Sequence, residues 1–143
     1  MDVERLIRQL KDDEGFSPVA FWDNEQWSVG YGCRGVEGQV ITEPAASALL
    51  EEEMYEAIKD FENLYADCRD QINDVRAESL VNMCFNLGKT KMIKFRKMNA
   101  AIRRNDWMEA AHQAISSAWY GQVGNRAKRI VKELATGEKE ATE

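Results

Sequence analysis

The spacing of hydrophobic residues changes along the chain, and this change restricts the fold more than any other feature. Apolar residues recur at intervals of three and four from Val3 to Leu10, which is the period of an amphipathic helix. Between Gly15 and Ile41 the pattern has the alternation of strands, and from Asp74 onward it is helical in short pieces. We therefore predict an α+β fold in which a small antiparallel sheet is segregated from the helices.

Turn-forming and capping residues indicate where the predicted elements begin and end. Gly15 is placed to cap the first helix, and Thr42 is placed to cap the start of a long one. The Asp-Asn pair at 23–24 separates the runs VAFW and WSVGYG, which indicates a β-hairpin. A third short strand is predicted near Gln39–Ile41. We expect the last residues, 138–143, to be frayed.

The layout predicts a single domain, residues 1–143, made of two lobes. A β lobe covers roughly 15–42, a connecting helix covers 43–65, and an all-helical lobe covers 66–137. The N-terminal helix, residues 2–14, is expected to pack on the helical lobe. A cleft between two lobes is a common place for a ligand, so we expect the active site there.

Composition narrows the classes of protein to which the chain can belong. With 143 residues, of which 44% are hydrophobic, the chain is large enough for a packed core. It has no apolar run of the roughly 20 residues that a membrane span needs. Its charged N-terminus lacks an apolar signal-peptide region, so we expect synthesis in a cytoplasm. Three cysteines without a CxxC pair indicate reduced thiols, and a single histidine, His112, makes a zinc site unexpected.

The net charge of −6 is spread unevenly along the sequence. Residues 1–70 hold 6 basic and 17 acidic side chains, which gives −11, whereas residues 71–143 hold 13 and 8, which gives +5. An anionic partner is therefore expected to meet the second half. A solvated helical surface without a partner explains the same pattern, and the sequence leaves both interpretations open.

Two carboxylates and a serine are candidates for chemistry. Glu14 stands at the end of the first helix, where the helix dipole favours the protonated acid, and Asp23 lies in the hairpin turn. One protonated and one ionised carboxyl facing a sugar linkage are the minimum that glycoside hydrolysis requires. Ser28 could hydrogen-bond a water molecule, and Gly30 leaves room for a sugar. A solvated helix end and an ordinary Asp-Asn turn are the alternative interpretations.

The segments DEG, Asp23 and SVGYG, taken together, resemble the catalytic segment of the phage-type lysozymes, the family of the T-even phage enzyme (glycoside hydrolase family 24). The resemblance continues in the same order through ESLVNMCFNLGKT, DWMEAA and WYGQVGNRAKRI, and it covers almost the whole chain. It implies that Glu14 is the general acid and that Asp23 is the second catalytic carboxylate. Ser28 takes the place of a threonine that helps to hold the attacking water.

The resemblance also implies roles for residues outside the catalytic segment. Gly30 and Tyr31 match strand positions beside the sugar-binding cleft. Phe85 and Asn86 match an aromatic and amide pair that contacts the glycan or its peptide. Arg126 matches an arginine that pairs with the catalytic glutamate, and it is therefore a supporting residue.

The chain departs from the family pattern in three ways. Four residues separate Asp23 from Ser28 where the family typically has five, so the hairpin is shorter or Ser28 is displaced, with Asn24 as a substitute for steadying the water. Cys33 stands where some members have a histidine in an ion pair, so we expect that ion pair to be absent. The chain is also acidic, whereas many members are basic.

The resemblance implies a muramidase that cleaves the β-1,4 bond between N-acetylmuramic acid and N-acetylglucosamine in peptidoglycan. We expect an endolysin that is a monomer, needs no metal or organic cofactor, binds no nucleic acid and does not insert into membranes. It would accumulate in the host cytoplasm and reach the wall through a separate membrane lesion. A tail-associated virion lysozyme and a catalytically inactive wall-binding module of the same fold remain alternatives. A nucleic-acid-binding helical protein is disfavoured by the net charge.

Overall fold

The computed structural model describes residues 1–139 and confirms the predicted α+β class, with many helices and one small antiparallel sheet. The strands are β1 (Ser17–Trp22), β2 (Trp27–Gly30) and β3 (Cys33–Arg34). The helices are α1 (Val3–Glu14), α2 (Glu43–Leu64), α3 (Asp74–Leu87), α4 (Lys89–Ile93), α5 (Arg96–Arg103), α6 (Trp107–Ile115), α7 (Ala118–Val123) and α8 (Asn125–Thr136), with a 3-10 helix at Ala66–Gln71. Of residues 138–143, which were expected to be frayed, 140–143 lie outside the described residues.

The sheet has the order β1-β2-β3, with both neighbouring pairs antiparallel. The predicted hairpin forms, and Trp22 pairs with Trp27 across its turn. The predicted end of α1 is also found, because the Gly15 amide donates to the Lys11 carbonyl at 2.9 Å and Gly15 adopts φ +69°. The sheet begins shortly after the end of α1 in the sequence.

The prediction of a third strand near Gln39–Ile41 is wrong. The third strand is β3, whereas Val40 makes only an isolated bridge to Val19. The Ile41 amide donates to the Pro18 carbonyl at 2.9 Å. Because Pro18 has no amide proton to return, the pairing does not extend into a ladder.

Contacts between residues divide the chain into two units. The N-terminal unit is Val3–Glu56 and contains α1, the sheet and the first part of α2. The C-terminal unit is Met1–Asp2 together with the chain from Ala57 onward. The backbone passes from one unit to the other inside α2. The lobe limits predicted from the sequence, and the packing of the N-terminal helix on the helical lobe, stay predictions.

The N-terminal unit has a small core drawn from both helices and the sheet. Its fully or nearly fully buried apolar side chains are Leu6, Leu10, Val29, Ala46, Leu50 and Met54. Burying each of the larger side chains contributes about 1.5–3 kcal/mol to folding. The predicted cap of α2 forms, because the Ala45 amide donates to Thr42 Oγ1 at 3.3 Å. This core holds the end of α1, the hairpin and the start of α2 in one unit.

The C-terminal unit packs its short helices around a larger core. Its largest buried side chains are Phe61, Tyr65, Leu80, Met83, Met92, Met98, Ile102 and Ile130. The buried Tyr65 hydroxyl donates to Asn99 Oδ1 at 2.6 Å, and Asn99 Nδ2 donates to the Met92 carbonyl at 2.9 Å. These bonds satisfy polar groups that would otherwise destabilise the core. No helix within residues 1–139 is long and apolar enough to cross a membrane.

Arg76 joins the start of α3 to the end of α8. Its Nε donates to the Leu134 carbonyl at 2.8 Å, and its Nη2 donates to the Ala135 carbonyl at 3.0 Å. The guanidinium also lies over the Trp107 ring, 4.5 Å from the ring centre. Carbonyls at the end of a helix lack partners within it, so Arg76 supplies the donors that α8 needs.

Candidate functional site

Glu14 is the last residue of α1 and is half-buried. Burial and then Glu53 raise the pKa of the Cys33 thiol on β3, and the Glu14 carboxylate contributes the smallest part of that rise. Cys33 pairs with Val29, the residue after Ser28. Glu14 therefore lies at a helix end, and its charge is felt on the strand next to the one that carries Ser28.

The hairpin turn holds Asp23 by hydrogen bonds from its own backbone. The Asp23 amide donates to the Gln26 carbonyl at 3.0 Å, and Asn24 takes a left-handed conformation with φ +84°. Asp23 Oδ1 accepts hydrogen bonds from the amides of Glu25 at 3.1 Å and Gln26 at 3.0 Å. This side-chain-to-backbone pattern is what favours aspartate in tight turns.

Ser28 completes the set of donors to Asp23. Its hydroxyl donates to Asp23 Oδ2 at 2.7 Å, and its side chain is only 4% exposed. The Ser28 hydrogen bond, followed by those of the Gln26 and Glu25 amides, holds the pKa of Asp23 below its ordinary value. The structure thus brings together two of the three predicted catalytic residues despite the shortened spacing, and it favours an ionised Asp23.

Gly30 and Tyr31 follow Ser28 and are both buried. A Cβ atom on Gly30 would lie 2.9 Å from Ala46 Cβ, so the missing side chain allows β2 to pack against α2. This packing explains the glycine within the N-terminal unit. The contacts with substrate that the sequence predicted for Gly30 and Tyr31 stay predictions.

The Tyr31 hydroxyl takes part in a polar cluster that the sequence analysis missed. It donates to Glu43 Oε2 at 2.6 Å, and Lys11 Nζ lies 3.2 Å from the same oxygen. The hydrogen bond to Glu43, with burial, raises the pKa of Tyr31 to about 12. The cluster links the last turns of α1, which carry Glu14, to the start of α2. Lys11 and Glu43 are far apart in the sequence, and no local pattern signals their contact.

The predicted site residues of the C-terminal unit are also held by polar contacts. Asn86 Oδ1 accepts a hydrogen bond from Trp119 Nε1 at 2.8 Å, and Phe85, beside it, is half-buried. Arg126 Nε donates to Asn82 Oδ1 at 2.9 Å, and Asn82 is 2% exposed. Asn82, which the sequence analysis did not single out, therefore orients Arg126. The predicted roles of Phe85, Asn86 and Arg126 toward substrate or Glu14 stay predictions.

Besides the carboxylates and Ser28, the reactive groups include the Cys33 thiol and the side chains that could bind a metal ion. Cys33 Sγ donates to Glu53 Oε1 at 3.8 Å, and burial is the main cause that raises its pKa to about 11. A neutral thiol carries no charge with which to form an ion pair at neutral pH. Among residues 1–139, no group of three or more histidine, cysteine, aspartate or glutamate side chains is arranged to hold a metal ion.

Comparison with known proteins identifies relatives along nearly the whole sequence. The family described as phage lysozyme matches residues 11–135. Two proteins of Dictyostelium discoideum are similar to the chain: Probable T4-type lysozyme 1 is 27% identical over 68% of the chain, and Probable T4-type lysozyme 2 is 28% identical over 94% of it. The Pre-baseplate central spike protein Gp5 of Enterobacteria phage T4 is 25% identical over 95% of the chain.

The alignments cover different fractions of the three relatives. The aligned region spans 59% of Probable T4-type lysozyme 1 and 28% of the Gp5 spike protein, but 96% of Probable T4-type lysozyme 2. The family match contains the predicted catalytic segment, because it begins at residue 11.

Proposed function

This chain belongs to the phage lysozyme family, and we therefore propose that it is a glycoside hydrolase that cuts the glycan strands of peptidoglycan. The bond proposed is the β-1,4 linkage between N-acetylmuramic acid and N-acetylglucosamine. The names of two relatives, Probable T4-type lysozyme 1 and Probable T4-type lysozyme 2, support this assignment.

The observation that carries the mechanism is the set of hydrogen bonds around Asp23. Three donors, one from Ser28 and two from the turn backbone, stabilise the charged form of this carboxylate. An ionised carboxylate is suited to accept a proton from, and to orient, an attacking water molecule. We assign this role to Asp23, with Ser28 as the hydroxyl that fixes the direction of the carboxylate.

Glu14 is proposed as the general acid that donates a proton to the oxygen of the leaving sugar. Its position as the last residue of α1 supports this role, because the negative end of the helix dipole disfavours a carboxylate. The sugar bond would break as the proton reaches the leaving oxygen and water adds to the anomeric carbon. Direct addition of water inverts the configuration of that carbon.

The proposal gives a supporting role to Arg126. It gives substrate-binding roles to Gly30, Tyr31, Phe85 and Asn86. Arg126 and Asn86 have side chains held by hydrogen bonds to Asn82 and Trp119, which supports a fixed orientation for each. We also retain the proposed monomeric state and the absence of a required cofactor.

A biological role as an endolysin, which accumulates in the host cytoplasm and acts on the wall after a membrane lesion forms, follows as part of the proposal. The similarity to the Gp5 spike protein favours a second candidate, a lysozyme domain carried on the virion. Quantitative mass spectrometry of purified virions and of the lysate separates the two roles. Enrichment in the virion supports the second role, and presence only in the lysate supports the first.

The activity is tested by the release of reducing sugar from purified peptidoglycan. We expect the wild-type protein to release reducing ends and Glu14→Gln to release none above background. Glu4→Gln is the matched control, because Glu4 is an exposed carboxylate on the same helix, and it should retain activity. Circular dichroism spectra should be the same for all three proteins.

Two results would contradict the proposal. Release of reducing ends by Glu14→Gln at the wild-type rate would remove Glu14 from the mechanism. Binding of the wild-type protein to peptidoglycan without release of reducing ends would support the inactive wall-binding alternative.

A further inference from the structure

The segment between α3 and α6 carries an unusual excess of positive charge for an acidic protein. No aspartate or glutamate occurs from Ser79 to Asn105, whereas seven lysines and arginines do. Five of these cations are exposed and lie within nine residues on α4, on α5 and between them. We call them the α4–α5 basic surface: Lys89, Lys91, Lys94, Arg96 and Lys97.

Two arginines that follow at the end of α5 form ion pairs, whereas the side chains of the α4–α5 basic surface form none within residues 1–139. Arg103 Nε lies 3.2 Å from Asp67 Oδ2, and Arg104 Nη2 lies 3.7 Å from Asp106 Oδ2. Within residues 1–139, no acidic side chain lies within ion-pair distance of the five cations of the surface. Their charge is therefore available to an external anion.

A recess of about 300 Å³ opens among these cations. Lys94, Arg96 and Lys97 line it together with two apolar side chains, Phe95 and the buried Met98. Gln113 of α6 also lines it, but the Gln113 amide nitrogen already donates to Glu109 Oε1 at 2.7 Å. The recess thus combines exposed cations with apolar lining residues and offers few fixed hydrogen-bonding groups.

Ile93 adds an exposed apolar side chain to the same region. It is 49% exposed and ends α4, one turn after Lys89, so both side chains lie on one face of the helix. Lysines beside an exposed apolar residue are typical of surfaces that lie at a membrane interface, where the charge meets phosphate and the apolar group enters the head-group region.

We propose that the α4–α5 basic surface docks this protein on the anionic head groups of a phospholipid bilayer. The phosphates would meet Lys89 beside Ile93 and the three cations that line the recess, while Ile93 and the recess would receive the apolar region below the head groups. A hydrophilic polyanion would satisfy the cations but would leave the apolar lining of the recess and Ile93 without a partner. Binding of this kind is peripheral and requires no membrane-spanning helix. It is also independent of the catalytic proposal, because it uses none of the proposed catalytic residues.

Vesicle sedimentation tests this surface directly. The probes are vesicles of phosphatidylcholine with 30 mol% phosphatidylglycerol and vesicles of phosphatidylcholine alone, both at low salt. We expect wild-type protein to sediment with the anionic vesicles only. Each cation near an anionic bilayer strengthens binding about fivefold, so the triple variant Lys94→Gln/Arg96→Gln/Lys97→Gln should bind about 100-fold more weakly.

The matched control removes three exposed cations elsewhere, in the variant Arg8→Gln/Lys59→Gln/Lys128→Gln. It has the same net charge as the first variant and should bind the anionic vesicles much more tightly than that variant does. Equal binding by the two variants, or equal sedimentation of wild type with neutral vesicles, would overturn the proposal.

Two further measurements separate lipid from other anions and from loss of the enzyme. Pull-down with purified peptidoglycan and retention on duplex DNA are compared for wild type and both variants. The first variant could lose binding to peptidoglycan or to DNA and still bind the anionic vesicles as tightly as wild type. That result would assign the surface to the polymer and refute lipid docking. Reducing-sugar release by the first variant should equal that of wild type, so that a failure of the catalytic proposal is seen separately.

Discussion

Asp23 shows how a single side chain can be prepared for a reaction by its own hairpin. One carboxylate oxygen accepts two backbone hydrogen bonds, and the other accepts the Ser28 hydroxyl. Because these donors favour the charged form, the pKa of Asp23 lies below its ordinary value. A group that must be ionised then stays active over a wider range of acidic pH.

We predict that Ser28→Ala moves the acidic limb of the pH–activity profile to higher pH. Removal of the hydroxyl donor raises the pKa of Asp23, and activity that depends on ionised Asp23 is lost as pH falls through that pKa. The rate at the optimum should also fall about tenfold, since the carboxylate is held less firmly. Reducing-sugar release measured across pH provides the test.

Two variants serve as controls for this prediction. Ser28→Thr keeps the hydroxyl and should retain the wild-type limb. Ser17→Ala removes an exposed hydroxyl that donates to the Val19 carbonyl on β1, and it should change nothing in the profile. An unchanged acidic limb in Ser28→Ala would mean that Asp23 does not set it.

At this scale, the sequence revealed residues whose chemistry shows locally but missed those that act through distant contacts. Glu14, Asp23 and Ser28 stand at a helix end, in a turn and on a strand, and these positions can be inferred from neighbouring residues. Asn82 and Glu43 are recognised as site residues only through their hydrogen bonds to Arg126 and Tyr31, which are distant in the sequence or in separate elements. Asparagine inside a helix and glutamate at a helix start are too common to indicate such partners alone.

Among the elements, helices were predicted more reliably than the third strand for a physical reason. The periodicity of α1 extends over three turns, and α2 has a cap and an apolar face along its length. By contrast, β3 is only two residues long, so an alternating pattern cannot appear in it. It is positioned by pairing of Cys33 with Val29, a contact that depends on the turn between them.

Gly137 lies where the end of α8 meets the start of α3. This residue ends α8 with φ +70°, and a Cβ atom there would lie 2.9 Å from Arg76 Cζ and from Asn73 Nδ2. Gly137→Ala should therefore lower the free energy of unfolding by about 2–3 kcal/mol, through backbone strain and displacement of Arg76. Chemical denaturation followed by circular dichroism measures the change.

The control for this prediction separates strain from crowding. Gly38 has a similar φ of +82° with no atom within 4 Å of its Cβ position. Gly38→Ala should cost only the conformational part, about 1 kcal/mol. Equal losses in the two variants would show that the contact with Arg76 contributes nothing.

Across the whole molecule, the two halves of the sequence carry charge of opposite sign. A net charge of −6 conceals a first half at −11 and a second half at +5. Five of the cations in the second half form the α4–α5 basic surface. Because the Coulomb interaction weakens with distance and charges beyond a Debye length are screened, an approaching surface responds more strongly to the nearest patch than to distant charges.

We predict that the protein binds a sulfonate cation exchanger at pH 7 and low salt, although its isoelectric point is about 5.0. Retention should disappear near 0.15 M salt because exposed charges are then screened. The variant Lys94→Gln/Arg96→Gln/Lys97→Gln should flow through, and Arg8→Gln/Lys59→Gln/Lys128→Gln should still be retained. Flow-through of the wild-type protein at low salt would contradict this charge separation.

The continuity of α2 has a practical consequence for anyone who wishes to express either unit alone. A cut at the boundary after Glu56 severs a helix in mid-course and not a loop. The piece from Ala57 to Leu64 would be shorter than the roughly 12–15 residues at which isolated helices become even marginal in water. Fragments should therefore be designed to include all of α2, and a fragment that ends at the boundary forfeits its last turns.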